Sequence, residues 1–151
     1  MNRSLMWWFI FLRVVVGAIF LYIGWQRLNS PIVTPEGFSE SVSHDTGADN
    51  PFPWYAESVG PFLLKYPEFL APISAWGVMV IGAGLVVGLF MVAALIVGML
   101  INLNDFFMAG WTNAAYYGLN ALMFLIQLGL LVSGVWRSLT LDSILWKKRK
   151  G

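Results

Sequence analysis

An arginine stands near the start of a long apolar stretch of the chain. Residues 12–28 read LRVVVGAIFLYIGWQRL. At about 100° per residue, one face of a helix there collects five residues within about 80° of one another: Arg13, Gly17, Phe20, Gly24 and Arg27. A charge at bilayer depth costs at least about 2.5 kcal/mol, and glycines let a neighbouring helix approach closely. We therefore expect this face to point into a helix bundle.

Two interpretations of Arg13 are open. In the first, Arg13 forms a structural ion pair with Asp142, which follows the last apolar run on the same side of the membrane. In the second, it contacts an anionic or carbonyl group of a ligand held between helices. Both hold if the ligand lies beside the ion pair. Arg27 has the same two interpretations, with Asp105 or a carboxylate of the long loop as its partner.

A second polar row lies near the end of the chain. Asn120 and Gln127 are seven residues apart in an apolar run, so they share one face of a helix. Hydrogen bonding between helices explains both residues. Their amides are also suitable donors for a quinone carbonyl, and they remain candidate ligand contacts beside Arg13 and Arg27.

The composition indicates a membrane protein. Of 151 residues, 58% are hydrophobic and 11% are charged, and the mean hydropathy is +0.71. Soluble domains carry about 25% charged residues. The net charge of +1 gives no reason to expect nucleic acid as a partner. With no cysteine and one histidine, His44, we expect no metal site and no haem on this chain.

The apolar runs predict one all-α domain, 1–151, that crosses the membrane four times. A crossing takes about 20 apolar residues, and the expected spans are 7–28, 72–88, 90–108 and 113–136. The second and third spans are separated by a short turn at Gly88-Leu89-Phe90. A cleaved signal peptide is the competing interpretation of the first run, but that run is too long and lacks a convincing cleavage site.

The long loop, 29–70, is the polar part of the chain. Its first half is expected to be irregular. Its second half, FPWYAESVGPFLLKYPEFLAP, predicts short helices that lie on the membrane or fold back onto the bundle. Trp54 there either caps the bundle or lines a ligand entrance. The basic residues at both ends of the chain, in particular the tail 137–151, predict cytoplasmic termini in the cell membrane, with the loop outside.

Three segments resemble the DoxX and DoxD-like membrane proteins. The first is LRVVVGAIFLYIGWQRL, which is similar to their opening helix. The second, WGVMVIGAGLVVGLF, is similar to their second helix and its GLF-type turn, and the third, GVWRSLTLDSIL, to their closing pattern. The stretch NPFPWYAESVGPFL leans toward the DoxD type, which resembles the membrane subunit of thiosulfate:quinone oxidoreductase. Many relatives carry an acidic residue in the second helix before the glycine run, and this chain has none there. They often carry a basic residue after GLF, where this chain has Met91.

The resemblance implies a quinone-linked membrane component of an oxidoreductase complex that oxidises a sulfur compound such as thiosulfate. Quinone would then be the cofactor, and the bilayer and other subunits the partners. The rival interpretation is a non-catalytic subunit that anchors or organises an assembly, and the absence of cysteine favours it. A small transporter is disfavoured because no broken helix with a charged midplane pair is apparent.

Overall fold

The computed structural model describes residues 3–134, and these residues form helices and turns without a strand. Four helices are long and apolar enough to cross a membrane. They are α1 (Arg3–Leu28), α5 (Pro67–Val87), α6 (Met91–Met108) and α7 (Ala114–Val132). The predicted all-α membrane bundle with four spans is therefore confirmed.

The bundle is built from two closely packed helix pairs. α1 packs mainly along α5, and α6 packs mainly along α7. A Cβ added at Gly82 of α5 would lie 2.7 Å from the Leu21 nitrogen and 2.8 Å from the Gly17 oxygen, so the two backbones nearly touch there. Val16 and Phe20 of α1 and Leu85 of α5 are almost fully buried in the core.

The predicted inward face of α1 is confirmed by burial. Arg13 and Phe20 are 5% and 1% exposed, and Gly17 and Gly24 are also buried. Trp7 and Trp8, on other faces of the same helix, are more than half exposed. The periodicity of the apolar run therefore identified the buried face without reference to any other helix.

A tight turn joins α5 to α6. Gly88 has φ 80° and ends α5, and its amide donates to the Gly84 carbonyl at 2.8 Å. Phe90 also has a positive φ, 49°, and its ring is 77% exposed. This strained non-glycine residue immediately precedes α6 and provides no side-chain cap for it.

Residues 29–66, named the cap here, cover one end of the bundle. They contain three short helices: α2 (Pro35–Asp45), α3 (Pro53–Ser58) and α4 (Gly60–Lys65). A short 3₁₀ turn, Pro31–Val33, connects α1 to α2. Phe38, Val42 and Tyr55 of the cap form a second apolar cluster with Ala71 of α5 and Met108 of α6.

The expectation of an irregular first half of the loop is wrong, because α2 lies there. The Thr34 hydroxyl accepts from the Gly37 amide at 3.2 Å, and Pro35 occupies the first turn. Both are favourable at a helix start. Phe38 and Val42 are four residues apart and are buried together. The expected short helices of the second half are present as α3 and α4.

Three helix limits differ from the expected spans by four or five residues. α1 begins at Arg3, earlier than residue 7. α5 begins at Pro67, earlier than residue 72, so the loop ends at Tyr66. Proline is favourable in the first turn of a helix, and Ala71 anchors the extra turn in the apolar cluster under the cap. α7 ends at Val132, shortly before Gly134 with φ 68°. The predicted basic tail, 137–151, lies outside the described residues.

Candidate functional site

A cleft of about 330 Å³ lies between α5 and α6 beneath the cap. Pockets that hold small organic ligands usually have about 300–1,000 Å³. Its walls are mostly apolar. Polar lining comes from Arg27, Ser74, Asn104 and Asp105, and the cap contributes Ile32, Phe38 and Leu63.

An ion pair forms one side of this cleft. The Arg27 guanidinium on α1 donates to the carboxylate of Asp105 on α6, and its other terminal nitrogen donates to the Ser74 carbonyl on α5 at 3.3 Å. The Tyr116 hydroxyl on α7 also reaches the Asp105 carboxylate, at 3.4 Å. Because both charges are largely buried, each depends on the other for compensation.

The Asn104 side chain, which lines the cleft together with the ion pair, has a hydrogen-bond donor that is not used within the described residues. The Tyr55 hydroxyl, from the cap, donates to the side-chain oxygen of Asn104 at 2.7 Å. The Asn104 side-chain nitrogen makes no hydrogen bond with the described residues 3–134. Burial of Tyr55, with the negative charge of Asp105 nearby, raises the pKa of that phenol, so it remains a neutral donor. Tyr55 thus fixes the amide in place.

The opposite side of the cleft opens toward the outer surface of the bundle. Ile73, Val97 and Leu100 line the cleft and are 47%, 44% and 60% exposed. Gly77 also lines it, and a Cβ added there would meet only the Ile73 side chain, at 3.9 Å. The missing side chain at Gly77 therefore leaves space that a ligand can use. Because these residues lie on spanning helices, the opening faces lipid.

The other predicted contacts lie elsewhere in the bundle. Of the four candidates, Arg27 alone lines the α5–α6 cleft. Asn120 donates to the Tyr116 carbonyl at 3.0 Å and lines a smaller cleft of about 220 Å³ between α6 and α7. Gln127 accepts a hydrogen bond from Asn102 at 2.6 Å. Hydrogen bonding between helices thus accounts for the Gln127 side-chain oxygen, whereas its buried side-chain nitrogen has no hydrogen-bond partner among residues 3–134.

Arg13 is buried on the face of α1 that packs into the bundle. Its predicted partner, Asp142, lies outside the described residues, so this pairing stays a prediction. Arg27 lies next to Asp105, which was one of its two predicted partners.

Two cap residues singled out by the sequence have simple surroundings. His44 is exposed, and its ring nitrogen contacts the Asp45 carboxylate at 3.0 Å. Residues 3–134 contain no group of three side chains that could hold a metal ion. The Trp54 ring lies 5.0 Å from the Phe107 ring of α6 and is 56% exposed. Trp54 therefore covers the end of α6 and does not line the cleft.

Sequence reasoning missed Ser74, Gly77 and Asn104 as lining residues of the cleft. A signal for Asn104 was present, because INLNDFF places two amides and a carboxylate close together in an apolar helix. No local signal marks Gly77, since its importance depends on the separation between two helices.

These features define a multi-pass membrane protein with a lipid-facing cleft under a helical cap. The sequence model of the DoxX family matches residues 9–111, which include every residue named above as lining the α5–α6 cleft. Because this match covers more than half of the chain, the protein belongs to the DoxX family. Neither a curated protein nor a solved structure gives a significant match.

Proposed function

We propose that the α5–α6 cleft binds a quinone and that the chain is the quinone-linked membrane component of an oxidoreductase complex. The observation that carries the proposal is the contrast within the cleft. One side is apolar and lipid-facing, whereas the other presents the Arg27 guanidinium and the free Asn104 amide nitrogen. A quinone likewise combines an apolar ring and tail with two carbonyl oxygens that accept hydrogen bonds.

The chemistry of the lining residues fits this cofactor. Guanidinium and amide groups donate hydrogen bonds, and quinone carbonyls accept them. The apolar walls suit the ring, and the space beside Gly77 accommodates its substituents. When bound, a quinone would supply reversible two-electron chemistry. The residues of this chain would bind and orient it, while Phe38 and Leu63 of the cap exclude water.

The complex and its substrate are proposed on the resemblance to the DoxD type. A sulfur compound such as thiosulfate would be oxidised by the assembled complex, with other subunits meeting this chain at the cap. Exposed carboxylates on the cap, Glu36, Glu40 and Glu57, support its placement in water outside the cell membrane. The basic tail supports cytoplasmic termini.

Purification with native partners in a mild detergent tests the proposal. Lipids extracted from the purified complex are analysed by mass spectrometry, and quinone is expected in a fixed molar ratio to the chain. An intact complex that repeatedly lacks quinone, and that fails to assemble when this chain is deleted, would overturn the proposal. That result would assign the chain the role of an anchor subunit.

A further inference from the structure

One face of α5 is apolar and exposed along the whole helix. Its exposed side chains follow the three- and four-residue spacing of a single helix face: Phe69, Ile73, Trp76, Val80 and Val87. Each is 47–69% exposed. On a spanning helix, such a face lies against acyl chains.

This apolar face continues beyond the end of α5 onto the cap. Tyr66 immediately precedes α5, and its ring lies 6.1 Å from the ring of Phe62 on α4. Phe62 and Tyr66 are 58% and 48% exposed. The Lys65 ammonium lies 5.3 Å from the centre of the Tyr66 ring.

The length of α5 sets the depth of these residues. Its 21 residues span about 31 Å, close to the thickness of the hydrocarbon core, which is about 30 Å. If α5 crosses the core, Phe62, Lys65 and Tyr66 lie at the level of the lipid headgroups. Aromatic rings and lysine are enriched at that level.

The charge distribution favours the same placement. Lys65 is the one lysine or arginine between Arg27 and Arg137. The carboxylates of Glu36, Glu40 and Glu57 are exposed on α2 and α3. Glu68 lies in the first turn of α5, where a negative charge is favourable. The single lysine of the cap therefore lies beside the exposed rings of Phe62 and Tyr66, as expected for contact with a lipid phosphate.

The same segment also forms a wall of the cleft. Leu63 and Leu70 line the cleft, whereas Phe62 and Phe69, their immediate neighbours, are exposed. We propose that residues 60–70 form a lipid-bound strap, which inserts Phe62, Tyr66 and Phe69 into the bilayer interface and directs Lys65 to a phospholipid phosphate. The interface thereby holds Leu63 against the cleft.

Spin labelling tests the position of the strap. Because the chain has no native cysteine, single labels at Phe62→Cys, Phe69→Cys, Glu40→Cys and Glu57→Cys report one position each. In phospholipid nanodiscs, labels at 62 and 69 are expected to be relaxed more by oxygen than by a water-soluble nickel chelate. Labels at 40 and 57 should show the reverse. A label at 62 that behaves like the one at 40 would overturn the proposal, as would protection at 62 from both reagents, which indicates a covering protein.

Maleimide labelling tests whether the bilayer holds the cleft wall. Leu63→Cys is expected to react slowly with a water-soluble maleimide. Adding Phe62→Ser and Tyr66→Ser should raise that rate at least roughly tenfold, because two aromatic anchors are lost. Trp54→Ser is the matched control, since Trp54 is an exposed aromatic residue on α3. An unchanged rate in the double variant, or an equal rise with Trp54→Ser, would contradict the proposal. Neither experiment depends on the identity of the cleft ligand.

Discussion

Arg27 and Asp105, 78 residues apart in the chain, form an ion pair that joins α1 to α6. The same guanidinium donates to the Ser74 carbonyl of α5, so three spanning helices meet around one side chain. Because this junction borders the cleft, the group that stabilises the bundle is also positioned to contact a ligand.

The ion pair predicts that removing either charge destabilises the protein, because the other charge then stays buried without a partner. Asp105→Asn should lower the free energy of unfolding by about 3–5 kcal/mol, because it leaves the largely buried Arg27 uncompensated. The double variant Arg27→Gln/Asp105→Asn should lose less than the sum of the two single changes. Steric trapping in bicelles measures these values, with Glu57→Ala as the exposed control. Additive losses would show that the two groups are not coupled.

Because α1 and α5 approach so closely, we expect that adding a single methyl group between them would push the two helices apart. Gly82→Ala should lower the free energy of unfolding by about 1–3 kcal/mol, because the new Cβ meets backbone atoms that cannot rotate away. Gly129→Ala is the control, since nothing lies within 4 Å of a Cβ added there. Equal stability of the two variants would mean that α1 and α5 are farther apart at Gly82 than the structure places them.

A buried asparagine clamps the cap onto α6. The Asn50 amide nitrogen donates to the Asp45 carbonyl at 2.7 Å and the Phe107 carbonyl at 3.1 Å, and its oxygen accepts from the Phe52 amide at 2.7 Å. Asn50→Ala should cost about 1–3 kcal/mol, because buried groups lose their partner. Hydrogen exchange should accelerate in residues 46–58 but remain normal in Asp49→Ala. Unchanged exchange in Asn50→Ala would show that the clamp does not hold the cap.

Tyr55 predicts a loss of stability at high pH. Its pKa is raised above the ordinary value of 10.0, by burial first and then by Asp105. The folded protein therefore keeps the phenol proton after the unfolded chain has lost it. The stability from this group is complete below about pH 10 and declines as the pH rises further. Comparison of phenolate absorbance in wild type and Tyr55→Phe should show no Tyr55 signal at pH 10. A signal with the ordinary pKa would contradict its burial.

The sequence predicts the spanning helices well because each one depends on local information. A run of about 20 apolar residues is enough to identify a crossing, and the helical period identifies the buried face that contains Arg13 and Phe20. α2 escaped prediction because its composition is polar. Its stability depends on burial of Phe38 and Val42 against helices that are distant in sequence.

The cleft could be predicted only in part. A charge in a spanning helix requires compensation, which placed Asp105 among the partners of Arg27. The grouping of Arg27 with Asn120 and Gln127 as quinone contacts remains untested, and the structure places these amides away from the α5–α6 cleft. Asn104 and Gly77 line the cleft because of the space between α5 and α6, and a single sequence carries no direct record of that space.

Quinone content of matched glycine variants tests the central claim most directly. Gly77→Leu should fill the cleft without disturbing the backbone, whereas Gly118→Leu places the same side chain where nothing lies within 4 Å of an added Cβ. After purification in one detergent, we expect Gly77→Leu to lose most of its bound quinone and Gly118→Leu to retain the wild-type ratio. Wild-type quinone content in a folded Gly77→Leu protein would contradict the assignment of the α5–α6 cleft as the quinone site.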